Sequence, residues 1–475
     1  MILKAKHCLK VLLPLGLSVL FCHKIVAQRS VIHRPFKELR FEESYQHLKD
    51  SLPLTFGTDR IKYLPLKESA DWFGSLGGEI RQTIEGVRLG FRDQENDFYL
   101  LTRTGLHGSI NHQDKFRVFG EILSSLEYDR LEGPRLVDEN RLYVLNLFAE
   151  FQVLHLSEAT LKIRIGRQEM QFGSSSLFAI RDGTNVRYTF DGVSALYESE
   201  KLNVKSFFAE FVRQDLGVFD DQSLSGDKKV WGTYLDYVVF SEGTLIAEPF
   251  YAGITEQSFY HQTGLPTVND RRHSFGLRLY GKVKGWDYGG ETIIQSGETA
   301  SLSASAHQAA FQLGKTFNLN PKHGLRLGWS GYYATGDRDS LDNQINTFNP
   351  YFPLQSNLRG AFGTLTFPTN LVFTGPSLRW IYNRNVISTI SYDLYWRPMV
   401  NDGLMNPGGF PSVFPDNNDD HFLGSQVDVS IVYLINKYLN LVGVYSHFFE
   451  SEYTRLRPAS NSATDFFTAL LIVRF

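Results

Sequence analysis

From Gly74 to the C-terminus the dominant period of the chain is two. Glu79, Arg81, Thr83 and Glu85 alternate with Ile80, Gln82, Ile84 and Gly86. Tyr99, Arg103, His107, Ser109 and Asn111 share one parity, and Phe98, Leu100, Leu106 and Ile110 the other. Arg117 and Glu121 stand against Phe116, Val118 and Ile122; Asn146, Glu150 and Gln152 against Leu145, Leu147, Phe151 and Val153; Lys162 and Arg164 against Leu161, Ile163 and Ile165. One polar and one mostly apolar face per segment is the pattern of half-buried strands. About 18 such segments run from 76–88 and 97–110 through 438–449 and 464–475, an even count as single-chain outer-membrane barrels require.

The same alternation occurs in a soluble sandwich, whose polar face meets water outside. Three features favour a barrel with a wet interior. The segments are about 10 to 13 residues long, against about 5 or 6 for soluble strands and about 9 to 11 for a tilted strand crossing a membrane. Short polar turns such as Asn111-His112-Gln113-Asp114 alternate with long loops such as 335–368, the two-ended layout of an outer-membrane barrel. The last segment places Phe467, Ala469, Leu471, Val473 and terminal Phe475 on one face. The fold expected is therefore all-β: a transmembrane, antiparallel, up-and-down β-barrel of about 18 strands in the outer membrane.

Composition supports this. Aromatics reach 14% and 40 glycines are spread along the 475 residues, which suits many strands with interfacial girdles. Residues 1–27 read as a cleaved secretory signal peptide: Lys4, Lys6 and Lys10, then an apolar stretch from Val11 to Cys22, then Ile25-Val26-Ala27. Both cysteines, Cys8 and Cys22, fall inside it, so the mature chain has no thiol for a disulfide or a metal. Without the leader's four lysines, 44 basic residues face 51 acidic ones, a net charge of −7; nucleic acid is not an expected partner. Residues 28–73 form an N-terminal periplasmic segment, with one short helix expected within "FKELRFEESYQHLKD" from Phe36 and an extended stretch at "KYLPLKES" from Lys62. The barrel occupies 74–475.

Arg81, Arg103, Arg117 and Arg164 lie on the wet parity and are candidates to line the lumen. Guanidinium stays charged at any physiological pH and matches carboxylate geometry in a bidentate way, and rings of arginine confer anion selectivity. Glu79, Glu85, Glu121 and Glu150 share that parity, so a balanced network of ion pairs propping the lumen open is the competing reading.

Several stretches resemble the bacterial alginate-export family of outer-membrane barrels: "KYLPLKESADWFGSLGGEIRQTIEG" from Lys62, "IRIGRQEMQFG" from Ile163 with Arg181, Asp182, Asn185, Arg187 and "FDGV" from Phe190, and "YYATGDRDSLDNQINTFNPYFP" from Tyr332. The resemblance implies an 18-stranded barrel whose arginine-lined constriction passes an anionic polysaccharide, gated by loops and a periplasmic turn. It places Arg164, Arg167, Arg181 and Arg187 on the family's central signature and so adds Arg167, Arg181 and Arg187 to the lumen candidates. Arg181 and Arg187 flank a turn at 181–185 and would gate or line the mouth, with salt bridges to Asp182 or Asp191 as the competing reading. The partners it implies are outer-membrane lipid, an anionic polysaccharide or other anionic solute, and periplasmic export machinery.

Other chemistries find little support. "DRDSLDN" (337–343) and "PDNNDD" (415–420) are acid-rich but fail the calcium-loop pattern, and read as solvated external loops. "LGKTF" at 313–317 lacks the upstream glycine and the helix of a phosphate-binding loop. The 13 histidines show no ligand spacing. Catalytic residues, metal and cofactors are all expected to be none. The remaining alternatives are a general or anion-preferring uptake porin and, in another class, a barrel hydrolase built on residues such as His261 and Asp270. About 46 residues precede the barrel, too few for a globular plug, which favours an open or loop-gated channel.

Overall fold

The computed structural model describes residues 36–51, 58–66, 71–89, 96–240, 244–258, 268–320, 322–339, 341–354, 361–383, 385–405, 411–413, 418–456 and 463–475; the stretch read as a signal peptide lies outside them. Eighteen long strands follow one another: β1 (Trp72–Leu89), β2 (Asp97–His112), β3 (Phe116–Tyr128), β4 (Asn140–Leu156), β5 (Ala159–Gln168), β6 (Phe190–Ser199), β7 (Leu202–Phe211), β8 (Lys228–Phe240), β9 (Leu245–Ser258), β10 (Val268–Val283), β11 (Trp286–Thr299), β12 (Leu302–Asn318), β13 (Gly324–Ala334), β14 (Leu371–Ile381), β15 (Val386–Trp396), β16 (Phe422–Leu434), β17 (Leu439–Glu450) and β18 (Ala463–Arg474). Each pairs antiparallel with its neighbour in sequence, and β18 pairs back onto β1, with Glu79 opposite Arg474 and Gly86 opposite Phe467. The sheet is thus a closed cylinder. Closure leaves no strand edge unpaired, the condition for a β-structure to sit in hydrocarbon.

The two faces separate as the alternation requires. Phe98, Leu106 and Ile110 are each about half exposed (54%, 53% and 49%), while Tyr99, Arg103 and His107 of the same strand are buried. Leu147, Ile165, Phe208, Phe275, Ile294, Phe311, Leu327, Trp329 and Ile431 continue the exposed apolar face round the cylinder. Soluble monomers rarely expose a large contiguous apolar surface; here it faces lipid. β1, at 18 residues, and β4 and β12, at 17, exceed the membrane crossing length and project beyond it.

Connections at the end carrying β1's start and β18's finish are short, such as 113–115, 157–158, 200–201 and 284–285. At the opposite end they run over 129–139, 169–189, 212–227, 335–370 and 397–421, with 300–301 the exception. The short-turn end is periplasmic in barrels of this kind. The one expected N-terminal helix is instead two 3-10 turns, Arg40–Glu42 and Gln46–Ser51. Leu64–Pro65 is extended and pairs with Phe73 and Gly74 of β1.

Candidate functional site

The connection 169–189 folds back into the cylinder. Its Met170, Phe172, Leu177 and Phe178 pack on Phe207, Tyr234 and Phe250, inward-facing residues of β7, β8 and β9. The connection 335–370 folds in as well and supplies Phe348, Tyr351 and Phe352 to the same cluster. The two loops join through their backbones: Ala179 N–H donates to Phe352 O at 2.8 Å, Phe352 N–H to Leu177 O at 2.8 Å, and Leu354 N–H to Ser175 O at 2.9 Å. One side of the lumen is therefore filled by apolar loop residues.

The wall from β1 to β5 carries charge. Arg81 is 3% exposed, Arg103 2% and Arg164 8%, all on the inward face. The turn 181–185 brings Asp182 among them: its Oδ1 lies 2.6 Å from Arg103 Nη2, 3.6 Å from Arg187 Nε and 3.7 Å from Arg81 Nη1. Arg81 also donates to the backbone oxygen of Asp182 at 2.7 Å. Burial alone would raise this carboxyl, but Arg103, Arg187 and Arg81 hold it well below the ordinary carboxylate value. Asn185 anchors the turn to the wall, donating to the carbonyls of Thr102, Leu126 and Asp138. Arg187 also pairs with buried Glu169, Nε to Oε1 at 2.9 Å.

A second arginine pair lies on the same wall. Arg164 reaches Glu150 Oε2 at 2.7 Å and Arg117 reaches Glu150 Oε1 at 3.0 Å. Both are covered by the N-terminal segment. Arg117 Nη1 donates to Phe41 O at 2.5 Å, and the Arg164 guanidinium lies 4.3 Å over the Phe41 ring. Phe41 packs edge-on against Phe119 and Phe148 with Leu39 and Ile180 beside it. Arg40 bonds to Glu79, which also holds Arg103 at 3.0 Å and Arg474 at 2.8 Å. Among the described pre-barrel residues, 39–48 form a strap packed on the lumen wall, which meets the inward loop through Ile180.

The sequence-derived arginines fall into three settings. Arg81, Arg103, Arg117 and Arg164 all face inward, each with an acidic or carbonyl partner. Arg187 joins them from the loop. Arg181 caps Tyr188, its guanidinium 3.9 Å over the ring, and donates to Val186 O and Gln214. Arg167 departs from the lumen assignment: its cross-strand partner is outward-facing Leu147, and it pairs with Asp191 at 2.9 Å on the outer wall. Parity already separates it from Arg164. Glu79, which the sequence offered as an ion-pair partner on the wet parity, and Asp182, which lies in the family signature, complete the network together with Glu169 and Arg40, which the sequence did not single out.

Among the described residues no three His, Cys, Asp or Glu side chains are placed to hold a metal ion. The acid-rich loop at 337–343 is only partly solvated: Asp337 is buried, its carboxylate accepting from Asn346 N–H, whereas Asp419 and Asp420 of the second acidic run are exposed. Asp270 is buried against Arg272, Thr299 and Asn349; His261 lies outside the described residues.

A family model described as Alginate export matches residues 74–467. No curated protein matches the chain. Among solved structures, Acinetobacter baumannii OccAB1 aligns with a TM-score of 0.54 at 10% identity, covering 88% of this chain and 99% of that one. Pseudomonas aeruginosa OpdK gives 0.51 at 12% identity over 85% and 98%. P. aeruginosa OccK2 (OpdF), in complex with glucuronate, gives 0.51 at 12% over 85% and 98%. These likenesses are of fold.

Proposed function

Because this chain belongs to the alginate-export family, whose members and fold neighbours are outer-membrane channels rather than enzymes, we propose that it passes an anionic oligo- or polysaccharide down its gradient through an arginine-lined lumen. The observation that carries this reading is the convergence of Arg81, Arg103 and Arg187 on the single carboxylate of Asp182. Three guanidinium groups form a seat for a carboxylate, and the loop's own aspartate occupies it. A uronate carboxylate entering the lumen takes that place, so the loop is displaced by the group it mimics. Arg117 and Arg164, one step toward the strap, offer the next seat once Phe41 leaves. Spacing several such seats along the wall suits a polymer with one carboxylate per sugar, since each is exchanged rather than held. Export machinery at the periplasmic end fits this reading, as the strap would be displaced from that side.

The test is block of channel current by oligouronates of increasing length, with neutral oligosaccharides of the same length alongside. Length-dependent block by the uronates alone supports the proposal. Equal block by both series removes the anionic substrate, and block by monouronate without gain on lengthening points to a porin for single sugars.

A further inference from the structure

The register of β5 to β10 lays a row of side chains across the outer wall at one height. Arg167, Asp191, Glu210, Lys229, Thr255 and Arg271 are successive cross-strand partners, and they share the parity of the exposed lipid-facing residues Ile165, Val193, Phe208 and Phe275. The row lies toward the long-connection end, at the top of the apolar band. Arg167 is neutralised by Asp191, and Glu210 accepts from Gly226 N–H. Lys229 and Arg271 are exposed, and neither forms an ion pair with a described residue, although Glu298 is the cross-strand neighbour of Arg271. They flank a single strand, so their backbones stand about 10 Å apart, within reach of one group for two such long side chains.

Directly below them the outer wall is hollowed. Ala195, Ser206 and Thr233 leave a groove of about 390 Å³ bordered by Phe208, Trp231 and Tyr251. The hydroxyls of Ser206 and Thr233 form one hydrogen bond with each other at 3.0 Å on the floor. At the upper rim Trp231 Nε1–H donates to Tyr251 Oη at 2.9 Å, and that oxygen lies 2.8 Å from His273 Nδ1. The Trp231 indole lies across Gly253: a Cβ there would stand 2.2 Å from the ring, so glycine keeps the indole flat and the groove open. Amphipathic rings at the rim mark the membrane interface. From Lys229 to Thr233 the strand advances about 13 Å, so the cations sit at headgroup level while the groove lies among acyl chains.

We propose that this patch binds a phosphate-bearing glycolipid of the outer leaflet, its phosphate between Lys229 and Arg271 and one acyl chain in the groove over Ser206 and Thr233. Arginine supplies a fork to phosphate oxygens and lysine a point charge. The groove removes chain surface from competing lipids, and the long-connection end faces the leaflet that carries glycolipid. The site stands on the outer wall and does not depend on what passes through the lumen.

The experiment is native mass spectrometry of the detergent-solubilised full chain titrated with bis-phosphorylated lipid A, its dephosphorylated form, and phosphatidylglycerol. One lipid A is expected to be retained, with affinity reduced at least about tenfold by Lys229→Glu with Arg271→Glu, as loss of charge-assisted contacts implies, and reduced also by Ser206→Phe, which fills the groove. The dephosphorylated form and phosphatidylglycerol are expected to bind no better than lipid A binds the double variant. Unchanged lipid A binding by the double variant, or equal binding of either comparison lipid, overturns the proposal. Should the double variant fail to fold, Lys229→Gln and Arg271→Gln singly, both on the exposed wall, are judged by the same criteria.

Discussion

Replacing Phe41 with alanine probes how the lumen is closed. The ring is 3% exposed, stands 6.0 Å from Phe119 and 5.4 Å from Phe148, and lies beneath the Arg164 guanidinium at 4.3 Å. Truncating a buried phenylalanine costs about 3–5 kcal/mol, and a desolvated cation–π contact adds about 2 kcal/mol. Even the lower figure, about 3 kcal/mol, shifts the ratio of docked to released strap by roughly 100-fold. A strap docked 99 times in 100 would then be released about half the time. Arg40→Ala should act in the same direction by freeing Glu79, though it leaves a buried carboxylate short of one partner. Two assays read the release. Single-channel recording should show a larger open fraction or a higher conductance level, approached also by deleting 39–48. Limited trypsin digestion should cleave after Arg40, which is 4% exposed in the docked strap, at a much higher rate. If Phe41→Ala left both current and cleavage unchanged, the strap would have no part in closing the lumen.

Three further outcomes follow from the same geometry. Asp182→Ala leaves Arg81, Arg103 and Arg187 without their shared carboxylate, so the anion-to-cation permeability ratio should rise and oligouronates should block at lower concentration; an unchanged ratio in bilayer recordings would remove the seat. Glu169 lies just beyond β5, where burial pushes its carboxyl up from 4.5 to about 7 against the pull of Arg187. A carboxyl raised in the docked loop takes up a proton on docking, so docking is strongest below the ordinary value and weakens as pH rises through 7. The open fraction should therefore grow between about pH 5 and about pH 8, and Glu169→Gln should flatten that slope; Asp182, depressed, acts with the opposite sign and only in stronger acid. Ile294, 59% exposed at the middle of β11, faces lipid, so Ile294→Arg should cost about 2–4 kcal/mol in folding into liposomes, whereas a neutral result would argue against that orientation.

The strands were legible because a closed sheet between water and lipid forces a period of two along every crossing, and Phe98, Leu106 and Ile110 against Tyr99, Arg103 and His107 display it directly. Parity also placed Arg81, Arg103, Arg117 and Arg164 inward. It argues against Arg167 there, and only family resemblance had grouped that residue with them. What escaped the sequence is what depends on remote partners. Phe41 and Phe119 are far apart in the chain, and nothing in "FKELRFEESYQHLKD" distinguishes an arginine bound to Glu79 from one in solvent. The inward fold of 169–189 likewise depends on apolar residues of β7 to β9 whose parity says only that they face the lumen. Asp337 read as solvated because its loop is polar, yet the connection turns inward and buries it.

The most direct measurement is the reversal potential of the native, full-length protein in a planar bilayer under a potassium chloride gradient. A lumen whose wall presents guanidinium to the permeating path yields a potential of the sign set by chloride, shifting further toward the chloride limit when Asp182 is removed. A potential set by potassium in the native protein would contradict the account.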